Sequence, residues 1–443
     1  MKTPFFILIF SFSTFLCGQN YDTNWKGHFS FLNIKKVVEA ENKFYAASEN
    51  ALFSYDTQTN QLNTITTVNG LSGELISTLH YSYEYQLLLI GYENGLIEIY
   101  SETDQEILKV VDIINKVTIP PSQKKINHFN EFNSLIYIAT DYGISVYSLE
   151  GLEFGDTYYI GSNGSQIRVN QTAILNNEIY AACGLNNGIK KASLSNSNLT
   201  DFQLWGTIVS GDFTAVLASA SSIYAVNLSN TIFEINGTAL NTLFNFPQPV
   251  VELNTSETKL LVTTNSKVYQ YGPGFNLIDT YSLPTELDTF FTCALITGAD
   301  VYIGTKNYGI IRPDPLAVYG YEEIHPEGPL RNAAFSLTYG YGNLWVTYGE
   351  YSIFFNPSPS RNYGISNYVD MNWHNTTYDS IQQATNKTVS NLNAISINPL
   401  NPDQVFISSF AHGLLNFQKE ESITVLDDSN SALESLVLPG SPN

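Results

Sequence analysis

Basic residues are scarce in this chain. Twenty Lys and Arg stand against 41 Asp and Glu over 443 residues, a formal net charge of −21. That sign excludes a nucleic-acid binder working through a general basic field. Charge of either kind is thin at 14%, while aromatics, mostly Tyr and Phe, reach 13%, a composition that favours strands. Cysteine is nearly absent: Cys17, Cys183 and Cys293 supply neither a disulfide framework nor zinc-type spacing. The histidines His28, His80, His128, His325, His374 and His412 are scattered, with no two-His metal motif. Asp427-Asp428 lacks the alternating acidic ligands of a calcium loop. No Gly-x-Ser-x-Gly elbow and no phosphate loop occurs. Ser408-Ser409 near His412 can be drawn as a nucleophile and base, but they fall on strand and turn positions of a repeat, and that structural reading is preferred. No catalytic residue, metal ligand or cofactor site is assigned, and the binding residues stay unknown. Long apolar runs are missing after the N-terminus, and so is clear helical periodicity.

What is present is a repeated strand pair. Leu87-Leu88-Leu89-Ile90-Gly91-Tyr92-Glu93-Asn94-Gly95-Leu96-Ile97-Glu98-Ile99-Tyr100 holds an apolar run, a polar turn ending in Asn94-Gly95, and a second run with alternation. Asn-Gly between strand-like runs is a strong hairpin signal, because both residues tolerate positive φ. Leu87 to Ile90 does not alternate, so that strand is expected to be covered on both faces. Copies run from Lys43 to Tyr55, Ser134 to Tyr147, Glu178 to Ala192, Ser222 to Ile235, Thr258 to Tyr271, Ala299 to Arg312, Asn343 to Phe355 and Asp403 to Phe417. Aligned on the residue before the second strand, they place Ala51, Gly95, Gly143, Gly188, Thr231, Lys267, Gly309, Ser352 and Gly413 in register. The intervals of 44, 48, 45, 43, 36, 42, 43 and 61 residues are those of β-propeller blades. The fold class is therefore all-β: a seven-bladed β-propeller followed by the start of a second.

In chain order, Met1 to Gly18 reads as a secretory signal peptide, with Lys2 followed by an apolar stretch too short to remain as a membrane anchor. Leu16 stands where a lipoprotein signal wants a small residue, so Cys17 is read as unlipidated. Trp25 to Phe31 is expected to supply an outer or closing strand. Asn69-Gly70-Leu71-Ser72-Gly73 links the first copy to a strand from Leu75 to Tyr81, and Glu102 to Lys125 reads as a long excursion between blades. Residues 19–320 form the first propeller in this reading. Residues 321–443 open the second, with Asn356 to Asn393 as an elaborated blade surface. Cys183 and Cys293 lie three blades apart and are read as buried free thiols.

Tyr45, Tyr137, Tyr180, Tyr224 and Tyr302 recur at one position of the repeat. A carbohydrate platform is one reading. Packing between blades is preferred, because their neighbours are apolar. Basic residues that stand out as contact candidates for an anionic ligand are Lys35-Lys36, Lys124-Lys125, Lys190-Lys191 and Arg168.

Several segments together resemble a known family. These are Asn24-Trp25-Lys26 through Phe44-Tyr45-Ala46-Ala47-Ser48; Gly70-Leu71-Ser72 with Ile90-Gly91-Tyr92-Glu93-Asn94-Gly95; Tyr137-Ile138-Ala139-Thr140; Asp156-Thr157-Tyr158-Tyr159-Ile160-Gly161; and Val405-Phe406-Ile407-Ser408-Ser409 with Gly413-Leu414. In order and spacing the chain resembles the PorZ-like N-terminal β-propeller proteins of the type IX secretion system in Bacteroidetes. The resemblance implies a non-enzymatic component at the outer membrane surface. It also implies partners, namely the sortase-like PorU, PorV and PorQ, and contact with anionic lipopolysaccharide during cargo attachment. Two-component regulator propellers share the Gly-Leu-Ser link, so the alternative is the periplasmic sensor region of a hybrid histidine kinase. Val301-Tyr302-Ile303-Gly304-Thr305 matches that pattern only in part.

Overall fold

The computed structural model describes residues 26–434 except 257, 318, 411 and 419–421. The segment read as a signal peptide, with Cys17 and Trp25, lies outside the described residues. Among the described residues, strands β1 to β36 in chain order form nine four-stranded antiparallel sheets, each built from consecutive strands. The first strands of the first seven sheets are β1 (Lys36–Ala40), β5 (Ile76–Ser82), β9 (Ile126–Phe132), β13 (Val169–Leu175), β17 (Phe213–Ser219), β21 (Val250–Ser256) and β25 (Phe291–Thr297). Each lies against the next in that order, and β25 returns to β1, so they line one axis. The eighth and ninth sheets start with β29 (Ser336–Gly340) and β33 (Leu392–Ile397), which lie against each other.

The repeat explains this arrangement residue by residue. In β6 (Leu87–Tyr92), Leu88 and Ile90 join a core with Tyr45 and Leu52 of the first sheet. Leu89, between them, joins Ile126 and Ile136 of the third. A strand gripped on both faces cannot alternate, and each such side chain contributes about 2 kcal/mol by leaving water. The Asn94-Gly95 turn is wider than a two-residue hairpin: only Gly95 has positive φ, at 90°. Asn94 acts through its side chain, accepting from the Leu96 N–H at 3.0 Å. Glycine at the aligned position has a second cause. At Gly188 φ is +75°, and a Cβ would sit 1.9 Å from the Val209 carbonyl oxygen. The third strand begins there against the fourth, leaving no room for a side chain.

Four expectations about strands need correction. Residues 26–35 contain no strand. Ring closure instead uses backbone bonds beside the seventh sheet, from Ile34 N–H to the Thr305 carbonyl (2.9 Å) and from Gly309 N–H to the Leu32 carbonyl (2.8 Å). One apolar seam covers that junction: Phe31, Ile34, Phe44 and Phe53 pack with Leu295, Tyr302 and Ile310. The eighth hairpin does not end at Phe355. β30 (Asn343–Thr347) pairs with β31 (Ile365–Val369), and Ser352 to Phe355 form a turn closed by a 2.8 Å bond from Phe355 N–H to the Ser352 carbonyl. The segment expected as surface elaboration, Asn356 to Asn393, holds β31, β32 (Asn372–Thr376), α1 (Tyr378–Thr385) and the start of β33. Likewise the excursion from Glu102 to Lys125 contains the outer strand β8 (Ile107–Val110).

The segment before β1 also joins the two groups of sheets. Ser30 N–H donates to Asn332 Oδ1 (2.7 Å), Ser30 Oγ donates to the Leu330 carbonyl (3.0 Å), and Trp373 Nε1 donates to His28 Nδ1 (3.1 Å).

Candidate functional site at the channel mouth

The inner strands begin with a shared irregularity. In β5, β13, β17, β21 and β25 the pairing to the second strand skips one residue, leaving Ser77, Asn170, Thr214, Val251 and Thr292 bulged. Asn127 is bulged likewise where β9 pairs with β10 (Leu135–Thr140). Lys35 takes the corresponding place beside β1, after buried Ile34. A bulge re-aims side chains and breaks the period of two. Here the result is that two successive residues per strand face the axis, as in Lys35-Lys36, Asn127-His128 and Asn170-Gln171. They line a half-open cavity of about 200 Å³.

Its polar groups are held unequally. Lys36 reaches past β25 to Glu252 on β21, Nζ to Oε1 at 2.5 Å, and Glu252 Oε2 also accepts from the Ala294 N–H at 2.9 Å. Burial opposes the Lys36 charge, but the Glu252 carboxylate holds its pKa above the ordinary lysine value. A desolvated pair of this kind fixes geometry more than it adds stability. Asn127 Nδ2 donates to the Val169 carbonyl (2.9 Å) and Asn170 Nδ2 to the Phe213 carbonyl (2.7 Å), each reaching the next sheet's bulge. Gln171 Nε2 crosses to the Leu253 carbonyl (3.3 Å). His128 is neutral: burial, then the nearby Lys36 and His80, push its pKa down to about 3. Its Nδ1 and the Ser77 hydroxyl are buried without a hydrogen-bond partner among the described residues.

The basic candidates are not gathered into one patch. Lys36 is bound to Glu252, Lys125 to Glu93 (3.4 Å), Lys191 to Glu178 (2.7 Å) and Arg168 to Asp141 (2.9 Å). Lys124 is buried with its ammonium on the Ile114 carbonyl, and Lys190 is buried on Thr207 Oγ1 at 3.0 Å. Lys35 alone of the set is exposed without an acidic partner among the described residues, and it stands at the channel mouth. The recurrent tyrosines are packing residues. Tyr45, Tyr137, Tyr224 and Tyr302 are buried and Tyr180 is half-buried under Lys191. Burial first, and then the bond that the hydroxyl donates to Glu102, raise the Tyr45 phenol's pKa. Cys183 and Cys293 are buried free thiols, pushed up to about 12 by burial.

Ser409 and His412 do not form a poised pair. Ser409 Oγ donates to the Ser390 carbonyl (2.7 Å) and lies 3.5 Å from His412 Nδ1, which itself accepts from the Ser390 N–H (3.4 Å). Both groups are spent on a turn. A larger cleft of about 410 Å³ separates the two groups of sheets, with Glu49, Asp288, Lys306, Arg331 and Asp379 on its walls. Its charges are of both signs, and the Arg331 guanidinium already stacks on Tyr363 at 3.9 Å.

No helix among the described residues is long and apolar enough to cross a membrane. Residues 44–206 match the family described as the N-terminal β-propeller domain of PorZ of the type IX secretion system. The expected resemblance is thus borne out over that stretch, together with the β-propeller fold. No curated protein matches the sequence. Among solved structures, PorZ of Porphyromonas gingivalis, described as an essential bacterial surface component of the type IX secretion system, superposes with a TM-score of 0.76 at 16% identity. The match covers 92% of this chain and 54% of that protein, so the chain spans about half its length. Raptor of Chaetomium thermophilum superposes less well, with a TM-score of 0.50 at 14% identity over 67% of this chain and 29% of that one.

Proposed function

We propose that this chain is the propeller part of a non-enzymatic, surface-located component of a type IX secretion system. The carrying observation is the PorZ family match over residues 44–206, with a PorZ-like fold across 92% of the chain. In this reading residues 19–320 act as one scaffold and 321–443 belong to a second propeller. The partners are the secretion attachment proteins PorU, PorV and PorQ, and the ligand is anionic lipopolysaccharide. The arrangement of the side chains supports scaffolding. The polar groups at the centre tie one sheet to the next, and the Ser409–His412 pair is committed to backbone.

Deleting the coding sequence in the source bacterium is expected to release secreted cargo that is normally attached at the cell surface. Restoring the full chain is expected to reattach it. Cargo that stays attached in the deletion strain would refute the role. Lipopolysaccharide binding is expected to fall only slightly from low to high salt, because nearly all the candidate cations are already paired. A steep loss with salt would instead assign the binding to a basic patch.

A further inference from the structure

We propose that the channel mouth binds one small sugar acid, a hydroxylated monocarboxylate of single-hexose size, with its carboxylate against Lys35 and its hydroxyls on Ser77, Asn127, Asn170 and His128. This goes beyond the secretion reading and stands or falls independently of it.

The charge on the ligand follows from the local sum. Among the residues lining the cavity, Lys36 and Glu252 neutralise each other and His128 is neutral, so Lys35 leaves a single net positive charge. The chain as a whole is acidic, but screening in physiological salt removes most of that field beyond ~8 Å. One cation in a partly enclosed polar cavity favours a monoanion over a dianion such as a phosphate monoester, whose second charge would find no counterpart.

The hydroxyls follow from the unused hydrogen-bonding groups. Asn127 and Asn170 each spend their Nδ2 on a backbone carbonyl of the next sheet. Their Oδ1 atoms remain as acceptors, and a carboxylate cannot donate to them. His128 Nδ1 and Ser77 Oγ are buried and unpartnered among the described residues, and a buried polar group gains most from a partner of matching geometry. A ligand carrying one carboxylate and several O–H donors satisfies this set, whereas a plain aliphatic acid leaves the acceptors unmet. The cavity of about 200 Å³ suits one hexose ring and not an extended glycan. Lys35, Ser77, Asn127 and Asn170 are also preorganised, since each follows a residue that packs in a core: Ile34, Ile76, Ile126 and Val169 are all fully or almost fully buried.

The test is isothermal titration of the full chain with D-glucuronate, D-glucose and D-glucose 6-phosphate. Glucuronate is expected to saturate a single site, with glucose and the phosphate ester each weaker by about tenfold or more, as for loss of a charge-assisted contact. Lys35→Gln should lower glucuronate affinity by about tenfold and erase the preference over glucose. Lys35 is exposed, so this variant should melt like the parent. Ser77→Ala should cost several-fold. Methyl β-D-glucuronide separates the two sources of such an acid: retained affinity assigns the end of a glycan, and lost affinity assigns the free acid. Equal binding of glucuronate and glucose, unchanged affinity in Lys35→Gln, or no saturable binding of glucuronate would each overturn the proposal.

Discussion

The first seven sheets and the last two are made from the same repeat, yet they bury it differently. In the first group every sheet meets a neighbour on both faces. The apolar clusters pass from sheet to sheet and return through the seam of Phe44, Phe53, Leu295 and Tyr302. In the last two, one cluster lies between the sheets, built on Trp345, Ile365, Leu392, Val405 and Leu415. Apolar side chains elsewhere in that pair stay in water: Leu337 is 61% exposed, Tyr339 74% and Phe354 84%. Strand propensity and hairpin chemistry are alike in both groups. What differs is whether the ring returns on itself, because a blade gains most of its stability from its two neighbours rather than from its own hydrogen bonds.

The largest effect should come from opening the seam. Phe44 is fully buried, with its ring centroid 4.8 Å from that of Tyr302. Phe44→Ala should cost about 3–5 kcal/mol, read as a lower denaturation midpoint of the whole first group. Leu337→Ser on the exposed face of β29 should leave that midpoint unchanged. If the two variants melt alike, the contrast between closed and open groups fails. A smaller effect is expected within the closed group. Gly188→Ala combines positive φ with a collision on the Val209 carbonyl, whereas Gly237 has φ +64° and no neighbour within 4 Å of the place a Cβ would take. Gly237→Ala should cost about 1–2 kcal/mol from backbone conformation alone, and Gly188→Ala clearly more. Equal midpoints would show that the close approach relaxes.

The hairpins are legible in the sequence because their period, their apolar second strands and their turn glycines repeat together. The eighth misleads because Ile353-Phe354-Phe355 looks like an apolar strand, while the pairing strand begins only at Ile365. The channel mouth leaves a fainter signal. Six of the seven sheets give it a polar residue directly after an apolar one, as in Ile76-Ser77, Ile126-Asn127, Val169-Asn170, Phe213-Thr214 and Phe291-Thr292, while the sixth has Val250-Val251. A period of two assigns those neighbours to opposite faces, and only the bulges bring consecutive residues to the axis. Lys35 is legible as a basic candidate. That it differs from Lys124 or Lys190 is not, since burial of the latter two depends on partners that only the folded chain brings to them.

Limited proteolysis sharpens the same comparison at lower cost in stability. Cleavage is expected first within 350–361, where Ile353, Phe354 and Phe355 are exposed and no strand pairs the backbone, or just after Arg331. The fragment spanning residues 36–324 should persist. First cuts inside that span would show that the closed group is no more resistant than the open pair.

The smallest effect is electrostatic and lies in the open pair. The Lys387 ammonium, just after α1, donates to Asp427 Oδ2, just after β36 (Ser422–Leu426), and the Ser429 N–H donates to Asp427 Oδ1 at 3.0 Å. Lys387 first, and Ser429 after it, pull the Asp427 pKa from about 3.8 down to about 2. A carboxyl whose folded pKa is depressed contributes its stabilisation above the unfolded value and loses it as pH falls through the folded one. The tie between the end of α1 and the last strand should therefore hold above about pH 4 and fade towards pH 2. Because both groups are solvated, the effect is confined to that edge and weakened by salt. Hydrogen exchange at β36 compared between pH 5 and pH 2.5, after correction for intrinsic rates, reads it directly. Protection should drop in the parent chain and change little in Asp427→Asn, which lacks the titrating group. Equal loss of protection in both would place the acid-sensitive contact elsewhere in the ninth sheet.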